Sequence, residues 1–262
     1  MKIKHVLAAL LFSSLIIASC KKDNPIPSNP ADEKIYFSGY IESTGHSFKI
    51  EYNADKTVKT LTYADDDSRV DVQPVYFNNK LSKLKKSEDN GSFVSIISYE
   101  TDDKGRVTKR TYLNNSSSPN PYTTYEYDSD NHIKKTEDFS ASGTSQGSVI
   151  YTYDNDNIIK CEDFSISSTR IITYTFDNKL NPYFSIKDLF FIGDIDFTAL
   201  SKNNILSSSD KAATDQTNFS ETSLNYTYNA QGYPATMTDN TTSVNLGKET
   251  KETFNYTFNY IK

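Results

Sequence analysis

Residues 125–134 read Tyr125-Glu126-Tyr127-Asp128-Ser129-Asp130-Asn131-His132-Ile133-Lys134, and residues 151–160 read Tyr151-Thr152-Tyr153-Asp154-Asn155-Asp156-Asn157-Ile158-Ile159-Lys160. Both follow one plan: an aromatic, a polar residue, a second aromatic, an acid, a short polar turn, then an aliphatic and Lys. Aromatics two apart share one face of a strand, and the residue between them faces the other way. The acid starts a turn because its carboxylate accepts backbone N–H groups two residues on. Each stretch therefore predicts a β-hairpin with one aromatic and one polar face.

The plan recurs along the chain. Tyr174-Thr175-Phe176-Asp177, Tyr226-Thr227-Tyr228-Asn229 and Tyr256-Thr257-Phe258-Asn259 match it, and Tyr52-Asn53, Tyr76-Phe77-Asn78 and Tyr99-Glu100-Thr101-Asp102 match it loosely. Anchors at 52, 77, 101, 127, 153 and 176 are 23 to 26 residues apart, and the next, at 228, lies two periods on. Gly105, Asn131, Asn157 and Gly232 occupy the turn positions where a positive φ is expected. No helical periodicity of useful length separates the copies, so the strands connect as an antiparallel meander. Eight units of two strands predict an all-β fold of roughly 14–16 strands, curled into an open sheet or a barrel-like shape. The missing copy coincides with a dense apolar cluster around Leu189-Phe190-Phe191-Ile192. A short irregular or helical insert near 183–206, capping or plugging the sheet, is expected there.

In-register stacking puts Tyr125, Tyr127, Tyr151, Tyr153, Tyr174, Tyr226 and Tyr228 on one face. They form the core of a thin sheet, and they are also the candidate ligand-binding residues, as stacking platforms for a glycan. The other face carries Thr and Glu on outgoing strands and Lys and Arg on returning ones, which suits opposite-charge pairing in water. Lys85-Lys86, Lys109-Arg110 and Lys134-Lys135 place positive charge on both faces of return strands. A lipid-facing Lys costs about 2–4 kcal/mol at mid-bilayer, so no membrane span is expected in the mature chain.

The chain has 262 residues, a formal net charge of −6, 36% hydrophobic residues and a mean hydropathy of −0.62. That composition excludes a helical membrane protein and a basic nucleic-acid binder. At the start, Lys2 and Lys4 precede an apolar run from Val6 to Ile17, followed by Ala18-Ser19-Cys20. The run is too short to span as a mature helix and reads as a signal peptide over 1–19. Leu15-Ile16-Ile17-Ala18-Ser19-Cys20 resembles a bacterial lipobox, which implies lipidation of Cys20 and an outer-membrane lipid as partner. Lys21-Lys22-Asp23 partly resembles the signal that sends some lipoproteins to the outer face, which favours surface exposure over the periplasm. Pro25, Pro27 and Pro30 mark residues 20–34 as a flexible tether, leaving 35–262 as the β-hairpin repeat domain. Only Cys161 remains besides Cys20, so no intramolecular disulfide is expected, and Cys161 reads as a packed small side chain.

Motifs for chemistry are absent. No zinc spacing, phosphate-cradling glycine loop or nucleophile elbow is present, and no cofactor is expected. His132 occupies a turn position taken by other residues in neighbouring copies. Carboxylates cluster at Asp65-Asp66-Asp67, Asp128 with Asp130, Asp154 with Asp156, and Asp194 with Asp196, mostly in predicted turns. The turns at 128–131 and 154–157 resemble the start of a calcium loop, but Phe139 and Ser165 stand where its twelfth-position Glu belongs.

The tandem Tyr-x-Tyr-Asp units, with Asn181-Pro182-Tyr183, Ser201-Lys202-Asn203-Asn204 and Tyr228-Asn229-Ala230-Gln231-Gly232-Tyr233-Pro234, resemble a bacterial lipoprotein family of unknown function with a porin-like β fold. The units are also distantly similar to the YD repeats of Rhs proteins, whose strands wrap a shell around a toxin. The resemblance covers about residues 35–262 and implies a porin-like curled sheet without an established activity. The expected function is a non-enzymatic, lipid-anchored cell-envelope protein acting as a binding or assembly module for a glycan or protein. The alternative is a carbohydrate-binding or carbohydrate-active surface lipoprotein using the Tyr-rich face and paired carboxylates.

Overall fold

The computed structural model describes residues 34–89, 91–113, 119–165, 169–193, 195, 197–214 and 217–262. The signal segment 1–19, Cys20, the tether up to residue 33, Asp194 and Asp196 lie outside the described residues.

The repeat units fold as strands in the expected order. The first eight are β1 (Tyr36–Glu42), β2 (Ser47–Tyr52), β3 (Val58–Ala64), β4 (Arg69–Phe77), β5 (Lys80–Glu88), β6 (Val94–Thr101), β7 (Val107–Tyr112) and β8 (Tyr122–Tyr127). Four more follow: β9 (Ile133–Phe139), β10 (Ser145–Asp154), β11 (Asn157–Ser165) and β12 (Thr169–Leu180). After the insert come β13 (Asn203–Ala212), β14 (Phe219–Tyr228), β15 (Pro234–Asn245) and β16 (Lys248–Ile261). Each strand pairs antiparallel with the next, and β16 returns to β1, from Tyr36↔Ile261 to Glu42↔Tyr256, closing a sixteen-stranded barrel. Closure leaves no free sheet edge.

The two ends of the barrel differ. Even-numbered strands run to one end, where Asn53, Asp102, Asp128 and Asn229 open the turns. The Asp128 carboxylate accepts the N–H groups of Asp130 and His132, both at 2.9 Å. Gly105, Asn131 and Gly232 take positive φ as expected (82°, 71° and 84°), but Asn157 does not. A register shift between Thr152 and Tyr153 lets β10 run to Asp154 and pair with Asn157. That shortens the turn to two residues and moves the positive φ to Asn155 (54°). β1 starts and β16 finishes at this same turn end.

Alternation sorts the wall. Ile50, Val58, Leu61, Val107, Ile158 and Cys161 point inward and are almost wholly buried. Outward positions are mostly polar, and several are paired: Lys109 Nζ lies 3.1 Å from Glu100, Lys135 2.7 Å from Glu137, and Lys160 3.0 Å from Glu162. Between β12 and β13, where the other units have a tight turn, the described residues of 181–202 fold into the barrel as a plug. It contains α1 (Leu189–Ile192) and a 3-10 turn at Phe197–Leu200. Leu189 and Ile192 join the barrel core, and the Tyr99 hydroxyl donates to the Phe191 carbonyl at 2.5 Å. The Ser201 hydroxyl accepts the Ile158 N–H at 3.1 Å, and Lys187 donates to the Asn79 carbonyl at 2.9 Å. Among the described residues no helix is long and apolar enough to cross a membrane.

Candidate functional site

The seven tyrosines proposed from sequence divide into three groups. Tyr125, Tyr127, Tyr151 and Tyr153 belong to the packed side of the interior. Tyr125 meets Phe191 edge-on with centroids 5.2 Å apart. Tyr127 donates to the Val107 carbonyl at 2.7 Å and Tyr153 to the Ile133 carbonyl at 3.1 Å, each reaching back to a neighbouring strand. Tyr52 and Tyr260 do the same to Phe37 and Pro234, at 2.5 and 2.7 Å. At these four positions a Tyr rather than a Phe lets the buried ring place its hydroxyl on a backbone carbonyl of the adjacent strand. Tyr228 sits at the turn end, where its hydroxyl donates to Asp177.

Tyr174 and Tyr226 form the third group and line a cavity of about 370 Å³ between the plug and the wall of β12–β16 and β1. Its floor is Asn181, Pro182 and Tyr183 of the plug, and Tyr40, Tyr256 and Phe258 complete the aromatic side. Asp239, Asn204, Ser208 and Thr222 supply the polar groups. Sequence reasoning missed Tyr40, Tyr256 and Asp239. The signal for Asp239 was the alternation in β15, where Met237 and Asp239 share the inward face opposite Tyr226 and Leu224.

The electrostatics of this cavity are one-sided. Burial holds the Asp239 carboxyl above the ordinary carboxylate range. The Thr241 hydroxyl, donating at 3.0 Å, opposes that shift, and the charges of Glu42 and Glu252 add to it. Glu42 is itself inward-facing, with 12% of its side chain exposed. Burial likewise raises the hydroxyls of Tyr40, Tyr226 and Tyr256, so they stay protonated donors at neutral pH. Among the described residues no basic side chain lines the cavity.

The raised Asp239 carboxyl makes a prediction about stability. Between the unfolded and folded values the native state keeps a proton that the unfolded chain has released, so stability falls as pH rises through that window. Asp239→Asn removes this loss and is expected to raise Tm at pH 7 by about 2 °C. The gap should close below about pH 4, where the aspartate is protonated in both states. Thermal scans of both proteins across this range check it, and a gap that widens in acid refutes it.

The turn acids have other work. Asp128, Asp130 and His132 bring ligand atoms within 4.8 Å of one another. However, the His132 ring is already held between Asp128 at 3.2 Å and Asp156 at 3.4 Å, and stacks on Tyr153 with centroids 4.4 Å apart. Asp156 also accepts the Lys202 ammonium at 2.9 Å, which holds its carboxyl below the usual range. These groups tie one turn to the next and to the end of the plug.

No protein-family model and no curated protein matches the chain. Among solved structures, a porin-like protein from Bacteroides uniformis superposes with a TM-score of 0.60 over 87% of this chain and 95% of its own, at 13% identity. A TcdB2-TccC3 structure matches 76% of this chain but 10% of its own, with a TM-score of 0.35 and 14% identity, too slight to carry an argument. What the chain shares with the Bacteroides uniformis protein, at that identity, is its fold, a porin-like β-barrel.

Proposed function

We propose that the chain is a non-enzymatic protein of the bacterial cell envelope, lipid-anchored through Cys20, whose water-standing barrel holds a small ligand in its interior. The observation that carries this reading is the polarity of the outer wall. Its outward positions are mostly polar, with scattered apolar residues such as Ile41 and Ile150 among them, and they carry the Lys109–Glu100, Lys135–Glu137 and Lys160–Glu162 pairs. A lipid-facing Lys costs about 2–4 kcal/mol at mid-bilayer, so this wall suits water on its outside. The fold of a porin then serves as a container. A tether from Cys20 then joins the barrel at the end where β1 starts and the plug sits.

A carbohydrate-binding reading also has support. Tyr40, Tyr174, Tyr226 and Tyr256 surround a cavity that holds an aspartate, two asparagines and the hydroxyls of Ser208 and Thr222.

Cell fractionation with external protease tests the proposal. The wild-type protein should sediment with outer membranes and be removed from intact cells, while Cys20→Ala should be released in soluble form. Soluble product from both proteins refutes the anchor, and protection of the wild type until the outer membrane is breached refutes the surface position.

A further inference from the structure

The inward face of the wall carries more acid than base. Its arginines are spent on the side away from the cavity. Arg170 binds Asp210 through two contacts of 2.8 and 2.7 Å, and Arg110 packs over the Tyr112 ring at 4.8 Å. Asp138 accepts the Thr123 hydroxyl at 2.5 Å. Asp163 faces Arg170, Asp210 and Asp138. Asp239 stands apart from all of these. The Thr241 hydroxyl donates to it at 3.0 Å, the Glu42 and Glu252 carboxylates add negative charge, and among the described residues no basic side chain lines its cavity.

The same carboxylate lines a cavity walled by the rings of Tyr40, Tyr174, Tyr226 and Tyr256. Tyrosine faces attract a cation through their quadrupole, and the attraction grows when water is excluded. A neutral occupant leaves Asp239 uncompensated beside two like charges, whereas a cation relieves both. A divalent metal ion is a poorer occupant, because it asks for six or more oxygen ligands and favours several carboxylates, whereas this lining holds one carboxylate with a few neutral amides and hydroxyls. At about 370 Å³ the space matches a small organic molecule.

We propose that this cavity binds a small organic ammonium ion, with Asp239 as its counter-ion and the four tyrosine rings as its cage. The proposal rests on the reading of the barrel interior as a ligand container and names the chemical class of what it contains. Glu42 and Glu252 extend the negative potential around Asp239 and draw the cation to it.

The chain has no Trp but 19 Tyr, so the cage rings are few among many fluorophores, and isothermal titration calorimetry of the purified full-length protein is the direct measure of binding. The probes are choline chloride, its uncharged isostere 3,3-dimethyl-1-butanol, and glucose. Choline should give a saturable heat of binding, and the isostere should bind at least about tenfold more weakly, since it keeps the shape and loses the charge. Asp239→Asn, checked by circular dichroism, should weaken choline by about tenfold or more. Tyr226→Leu should weaken it several-fold, independently of the carboxylate. Equal binding of choline and isostere, or unchanged binding in Asp239→Asn, overturns the ammonium assignment while leaving the container standing. Saturation by glucose but not choline does the same and favours a sugar. If none of the three saturates, the container reading falls with it.

Discussion

Gly39→Ala is expected to leave the chain without its closed barrel. Gly39 has φ +137°, and a Cβ placed on it would lie 1.9 Å from the Phe48 carbonyl oxygen and 2.9 Å from the Lys49 Cα. Both obstacles are backbone, so no rotamer change relieves the clash, and the positive φ adds strain of its own. The position also has two partners, Lys49 in β2 and Asn259 in β16, beside the irregularity between Phe37 and Gly39. Moving β1 away from β2 therefore pulls Phe37 and Tyr40 from the core and opens the seam with β16. The expected loss is about 4 kcal/mol or more, at the upper end of what single substitutions do. Urea denaturation measures it, and a variant within about 1 kcal/mol of the wild type shows that the seam tolerates a side chain there.

The second large effect is expected in the plug. Leu189→Ala and Ile192→Ala should each cost about 2–5 kcal/mol, because both side chains are at most 2% exposed and pack into the barrel core. A four-residue helix has no stability of its own, so its conformation is imposed by burial. The plug is tied to several strands at once, through Tyr99 to Phe191, Phe37 to Tyr183, Ile158 to Ser201 and Lys187 to Asn79. Plug and wall are therefore expected to unfold together. Hydrogen exchange on the Leu189→Ala protein tests this. Fast exchange confined to residues 181–202, with the wall as protected as before, marks the plug as a separate unit and contradicts the prediction.

Much of the wall was legible because the repeat is local. Aromatic alternation, the Asp or Asn turn and the Lys that follows all lie within ten residues, and strand pairing between neighbours needs nothing more. The insert was legible as a break in the period with an apolar cluster inside it. Closure was not, because it is a single pairing between the two ends of the chain, and β1 lacks the Tyr-x-Tyr-Asp pattern. Its Gly39 is a sign of close approach that only the neighbouring strands explain. The site was half legible for the same reason. Sequence put the tyrosines on one face, but which rings line open space depends on where the plug lands. It packs against Tyr125 and leaves room beside Tyr174 and Tyr226. Asp239 has no place in the Tyr-x-Tyr-Asp plan, and only the register sets it opposite Leu224 on the inward face.

The seam has a further consequence for how the molecule is made. Synthesis delivers β1 first and β16 last, so the free edge of β1 waits, unpaired, through the appearance of fourteen intervening strands. Every partial chain is a sheet with two exposed edges, open to pairing with another copy. Only the finished chain has none. The final strand thus does more than add one more hairpin: its arrival converts a growing, sticky ribbon into an object that has stopped offering backbone to its neighbours, and a chain cut short by a single hairpin never reaches that state.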